Sequence, residues 1–220
     1  MMRIALFGAL LVPLLLGACA TKAPKDYSAF QRARPASILV LPPLNESPDI
    51  KATPAVWASV TRPLAEAGYY VMPVTLADET FKQNGVTTSH DAQQIPADKL
   101  RQFFGADAAL YLRVSEYGAR YHVVVSETAV RISGRLVDLR DGALLWEGTA
   151  RASSAEQQQA GQGGLVGLLA QALVNQIISA TTDAAYGYAG IASARLINGP
   201  EGVLYGPRSP RSGQPPAQPR

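Results

Sequence analysis

Ala108-Ala109-Leu110-Tyr111-Leu112-Arg113-Val114-Ser115 decides the fold class. Ala108, Leu110, Leu112 and Val114 alternate with Ala109, Tyr111, Arg113 and Ser115, the period of two that marks a strand with one apolar face. Downstream, residues 121–139 form a long β-rich stretch with Val130, Ile132 and Leu136 on one face and Arg131, Ser133 and Arg135 on the other. Arg140-Asp141-Gly142 reads as a hairpin turn, because Asp-Gly readily supplies positive φ, and residues 143–152 read as the returning strand. Upstream, Ser37-Ile38-Leu39-Val40-Leu41 is a buried strand stopped by Pro42-Pro43, and residues 69–74 are a second. Helices are expected over 54–67, with a kink or early break at Pro63, over 76–84 before Gly85, and over 95–104 before Gly105. The order β-α-β-α-α-β-β-β, then helices, predicts an α/β fold: a mixed β-sheet of about five strands with helices packed against it.

The chain has 220 residues, enough for one ordinary domain. Charged residues are only 17% and hydrophobic residues 47%, which excludes an intrinsically disordered chain. One cysteine and two histidines exclude a disulfide scaffold and a cysteine- or histidine-rich metal site, so no metal or cofactor is expected. The net charge of +3 comes from the ends: between Thr21 and Pro200 sixteen basic residues balance sixteen acidic ones. Without clustered Lys and Arg to displace counterions, nucleic acid is excluded as a partner.

At the N-terminus, Arg3 precedes an apolar run over 4–16, too short to span a bilayer as a helix but the size of a signal-peptide core. Leu16-Gly17-Ala18-Cys19 resembles the lipobox of bacterial lipoproteins. The resemblance implies a signal peptide over 1–18, cleavage before Cys19, and acyl chains on its sulfur and amine that hold the protein on a membrane. Ala20, rather than aspartate, after the cysteine implies the outer membrane, with the domain facing the periplasm. Residues 19–36 are read as acylated cysteine and polar tether, whose seventeen residues from Ala20 reach at most about 56–60 Å. A single α/β domain is expected over 37–197. Residues 198–220 are read as a Pro/Gly-rich tail, mostly irregular.

Residues 157–182 contain no charged side chain. On a helical wheel, Leu165, Leu169, Leu173 and Ile177 share one broad arc, while Gly167, Gln171, Asn175 and Ser179 line a narrow stripe. Gly163 and Gly167 have the spacing that permits close helix approach. The segment reads as a core helix, as a surface for a partner or a second copy of the chain, or as a membrane-inserted helix. Gln171 and Asn175 at mid-helix oppose the last. Gly163, Gly167, Gln171, Asn175 and Ser179 are therefore the candidate interaction surface.

No catalytic constellation stands out. His90 lies in a polar loop over 87–91, and His122 opens a strand; neither has a nucleophile and an orienting group at a recognisable spacing. Ser126-Glu127 lacks a nucleophile elbow. Trp57 and Trp146 read as packing residues, and the tyrosines as edge residues or the lining of a groove. No enzyme activity is expected.

Residues 38–47, Ile-Leu-Val-Leu-Pro-Pro-Leu-Asn-Glu-Ser, are similar to the first strand and loop of the N-terminal domain of the Tol–Pal translocation protein. Curli-secretion-channel lipoproteins and lipoprotein activators of penicillin-binding proteins look similar there. Leu136-Val137-Asp138-Leu139 and Leu144-Leu145-Trp146-Glu147-Gly148 resemble their recurring hairpin. From Ile38 to Pro210 the chain resembles more closely a family of outer-membrane lipoproteins of unknown function, most specifically over 63–84, 104–112 and 202–209. Members often sit in gene neighbourhoods with a curli-channel-type lipoprotein, which implies a protein-binding role in envelope secretion or assembly. No catalytic residue is implied. The resemblance over Leu204-Tyr205-Gly206-Pro207 also implies an ordered tail as far as Pro210. The alternative function is a periplasmic ligand-binding module, with its cleft beside residues 45–53.

Overall fold

A computed structural model describes residues 25–121, 126–156 and 183–216. In chain order the elements are α1 (Ser28–Ala33), β1 (Ser37–Val40), β2 (Leu44–Asn45), α2 (Ala52–Ser59), α3 (Thr61–Glu66), β3 (Tyr70–Val71) and α4 (Val74–Gln83). They continue with α5 (Ser89–Gln94), α6 (Ala97–Phe104), β4 (Ala108–Tyr121), β5 (Ser126–Asp138), β6 (Leu144–Ser153) and α7 (Ala184–Asn198). The strands form one sheet in the order β3-β1-β4-β5-β6, with β2 also paired to β4. β1 runs parallel to β3 and β4, whereas β4, β5 and β6 are antiparallel. This is the mixed α/β sheet that the sequence predicts.

β1 is apolar without alternation because both of its faces are covered. Ile38 and Val40 pack with α2, α3 and α7, while Leu39 and Leu41 pack with α4, α5 and α6. On β4, Ala108, Leu110, Leu112 and Val114 all point into the first of these cores, where Val130, Ile132 and Leu136 of β5 join them. Each such fully buried aliphatic side chain contributes about 1.5–3 kcal/mol. The second core covers only β1 and the start of β4 and has Phe81, Ala92 and Leu100 from its helices.

Pro42 and Pro43 lack the N–H that a strand would donate. The side-chain amide of Gln93 fills the gap, donating to the carbonyls of Pro42 and Leu112, each at 2.9 Å. β1 and β2 thereby both follow β4 across a proline step. The sequence offers no sign of this, since Gln93 lies fifty residues away in a helix.

Local departures from the sequence reading have physical causes. The helix expected over 54–67 is two helices that meet at Val60, so that Pro63 sits in the first turn of α3, where its missing N–H costs nothing. The polar loop expected over 87–91 starts α5 instead, because the Thr88 hydroxyl caps the Asp91 N–H at 3.1 Å. The helix expected over 95–104 begins after Pro96. The strand expected over 69–74 keeps only two paired residues.

Both ends also differ. The segment expected as a tether carries α1, with Phe30 buried in the core. The segment read as a mostly irregular tail has no helix or strand over 201–216, yet it buries Val203 and Leu204 in the core, in line with the order to Pro210 that the resemblance implies. Three aromatic donors hold it: the Trp146 indole donates to the carbonyl of Glu201, and the Tyr27 and Tyr69 phenols donate to those of Gly202 and Leu204. Gly206 N–H donates to Ala67 O and Arg208 N–H to Gly68 O. Only glycine fits at 68, where φ is +98° and a Cβ would stand 2.6 Å from Ser209 N.

Candidate functional site

Beyond the reach of α4, α5 and α6, the outward face of β4, β5 and β6 carries polar side chains in cross-strand rungs. Tyr111, Arg135 and Glu147 form one rung, and Arg113, Ser133 and Thr149 the next. These residues, with Gln93, line an open cleft of about 890 Å³. The Arg135 guanidinium lies 5.8 Å from the centre of the Tyr111 ring, within cation–π range. Arg113 pairs with Glu46 at the mouth of the loop after β2.

The third rung is Glu116, Arg131 and Arg151. Strict alternation would send Glu116 inward with Leu112 and Val114. A bulge between Val114 and Glu116 reverses the phase, so that Glu116 points outward and Tyr117 inward. The Glu116 carboxylate then accepts from Arg131 Nε and Arg151 Nε, each at 3.1 Å. Arg151 also bonds Glu127 at 2.8 Å, and Glu156 links it to Arg195 of α7. The hydrogen bonds to Glu127 and Glu116 hold the Arg151 guanidinium still more firmly protonated, against a cost of desolvation. This half-buried lattice of charges can present ordered hydrogen-bond geometry to a partner.

Cys19 and the candidate interaction residues Gly163, Gly167, Gln171, Asn175 and Ser179 lie outside the described residues, as does His122. His90 is exposed on α5 and contacts only Gln94 among the described residues. The loop beside which a ligand cleft was expected spends its polar groups internally. Asn45 Nδ2 donates to Asp49 O, and Asn45 Oδ1 accepts from Ser47. None of residues 45–53 lines the cleft described above, though Glu46 meets it at Arg113. Sequence reasoning placed Arg131, Ser133 and Arg135 together but missed Glu116, because the bulge leaves no mark beyond the broken alternation at Glu116-Tyr117.

Among the described residues no cluster of His, Cys, Asp and Glu is arranged to hold a metal ion, and no helix is long and apolar enough to cross a membrane. The described residues form an α/β domain with one polar, ion-paired sheet face.

The chain belongs to the family described as "Putative lipoprotein GNA1162-like", whose profile matches residues 25–208. It is 47% identical over 199 residues to "Putative lipoprotein NMB1124/NMB1162" of Neisseria meningitidis serogroup B, across 89% of this chain and 92% of the relative. The crystal structure of lipoprotein GNA1162 from Neisseria meningitidis matches 66% of this chain and 99% of its own with 49% identity and a TM-score of 0.52. A PelC dodecamer structure from Paraburkholderia phytofirmans matches 55% of this chain and 73% of its own at 18% identity and a TM-score of 0.40. Membership supports lipoprotein character and a membrane-anchored place in the cell envelope.

Proposed function

We propose that this lipoprotein is a protein-binding component of an envelope secretion or assembly system, held on the outer membrane by acyl chains at Cys19 and facing the periplasm. The observation that carries the binding role is the polar face of β4, β5 and β6, which no helix among the described residues covers. Its first two rungs leave Arg135, Ser133 and Thr149 toward solvent, beside the fixed ion pairs of the third. Such a face supplies oriented donors and acceptors that recognise a complementary polar surface. The partner is an envelope protein, and a curli-channel-type lipoprotein is the first candidate.

A photo-crosslinking residue at Ser133 or Thr149, in cells carrying the full chain, should capture one envelope protein. The same residue at Leu76, exposed on α4, should not. Adducts at Leu76 alone would defeat the assignment of this face. Arg135→Glu should reduce the Thr149 adduct while leaving thermal unfolding within a few degrees of the parent.

The cleft's size supports a second reading, a ligand-binding module in which Tyr111 and Arg135 stack on a planar or sugar-like group. A small molecule co-purifying with the chain, and lost on Tyr111→Ala, would favour it.

A further inference from the structure

One end of the sheet gathers exposed arginines from both termini of the described chain. β1, β3 and β4 all begin there, and the turn between β5 and β6 lies beside them, as the pairs Ser37–Tyr70, Ile38–Ala108, Ala108–Asp138 and Val137–Leu144 show. α1 ends at this edge, where Arg140 donates to Ala33 O. The C-terminal strap crosses it at Gly68 and Tyr69.

The strap returns the charge surplus of the tail to the neighbourhood of the N-terminus. Arg34, Arg208 and Arg211 are exposed and enter no ion pair among the described residues. Arg211 lies 4.1 Å above the Tyr205 ring and Arg208 lies 5.7 Å from the Tyr70 ring. Exposed Arg32 stands on α1 close by, sensed electrostatically by Asp26. The acids of this end each have a partner, Asp26 accepting from the Ser28 N–H and hydroxyl. Asp107 accepts from the backbone of Ala36 and Ser37, Asp138 pairs with Arg140, and Asp141 accepts from Ala143 N–H. Tyr70, Phe103 and Leu144 are large hydrophobic side chains left exposed around the same edge. Between α1 and the strap a cavity of about 520 Å³ is lined by Arg34, Tyr205 and Gln214.

Chain length brings this end to the membrane. Because α1 is docked, only five residues separate Lys25 from Cys19, a reach of about 20 Å rather than the span of a free tether. α1 itself is about 9 Å long. Cations confined this close to a surface act within a few Debye lengths of it, and tyrosines favour the interfacial layer.

We propose that the end of the sheet bearing Arg32, Arg34, Arg208 and Arg211 docks on an anionic lipid surface, that of the membrane holding the anchor. The orientation rests on the acylation of Cys19. The docking surface itself belongs to the described residues.

The test is flotation of the mature chain from Cys19 onward, without acyl groups, on vesicles. Vesicles of equal parts phosphatidylcholine and phosphatidylglycerol should carry it, and phosphatidylcholine alone should not. Binding should fall steeply with added salt. Arg208→Ser with Arg211→Ser should weaken it about 25-fold, near fivefold for each cation, with an unchanged thermal midpoint because both side chains are exposed. Equal flotation on both vesicles, or no change in the variant, overturns the proposal. Mass spectrometry of the membrane-extracted protein tests the anchor separately: an unmodified Cys19 would remove the orientation and leave the flotation result to decide the docking.

Discussion

The two ends of the sheet are finished in opposite ways. At the end where β1, β3 and β4 begin, loose backbone is tied down: Tyr27, Tyr69 and Trp146 each donate to a carbonyl of the strap, and Arg140 ties the β5–β6 turn to α1. At the far end, the loop after β2 leaves Ile50 88% exposed, and Tyr186 is exposed beside the start of α7. There the Tyr117 hydroxyl is buried beside the Asp183 carboxylate without a hydrogen bond of ordinary geometry among the described residues. The first end is closed by the chain itself. The second is where α7 begins, capped by Asp183. The contrast teaches that order at the termini is part of the fold: the first end is tied by the strap's own hydrogen bonds, while the far end keeps a buried hydroxyl without a well-formed bond.

The largest effect should come from breaking the strap. Leu204 is fully buried in the main core. Leu204→Asp would bury an unpaired charge and should cost about 4 kcal/mol or more, read as a lowered denaturant midpoint. A loss below about 1 kcal/mol would show that the strap is an appendage.

Next is the ion pair at the turn. Asp138 is 3% exposed and accepts from Arg140 Nε and from Arg140 N–H. Those hydrogen bonds, with the Arg140 charge, outweigh desolvation and hold its carboxyl below the ordinary 3.8. The folded chain therefore gives up this proton more readily than the unfolded one. The pair contributes in full above about pH 4 and is lost as pH falls through the lowered value. Asp138→Asn should cost about 2 kcal/mol at neutral pH and flatten the acid limb of the stability profile. An unchanged acid limb would assign that limb to other carboxylates.

The sheet was legible because its strands carry their own periodicity. Ala108 to Val114 and Val130 to Leu136 alternate as strictly in space as in sequence. What escaped was non-local. Phe30 and the short run Val203-Leu204 lie in polar, proline-rich surroundings with no period to betray them, and aromatic donors to distant carbonyls hold the strap in place. Gln93 satisfies a defect that Pro42-Pro43 create, and Glu116 reaches the open face only through a bulge. The open face was half legible: Arg131, Ser133 and Arg135 were aligned by period, but their acidic partners were not. The interaction stripe expected from Gly163 to Ser179 falls outside the described residues.

A smaller effect separates the two kinds of tyrosine. Burial pushes the Tyr69 phenol well above its ordinary value, so it stays a donor to Leu204 O at any ordinary pH. Tyr69→Phe leaves that carbonyl buried and unpaired, at a cost of about 1–1.5 kcal/mol. Tyr117 is also pushed upward, chiefly by burial and then by the charges of Asp183 and Asp49. A hydroxyl that is buried without a well-formed bond has already lost its water, so removing it relieves a cost rather than creating one. Tyr117→Phe should therefore change stability by no more than about 0.5 kcal/mol, in either direction. A loss as large as that of Tyr69→Phe would mean that the nearby Asp183 carboxylate accepts from Tyr117, and the far end would then be closed by the same phenol-to-oxygen device as the first.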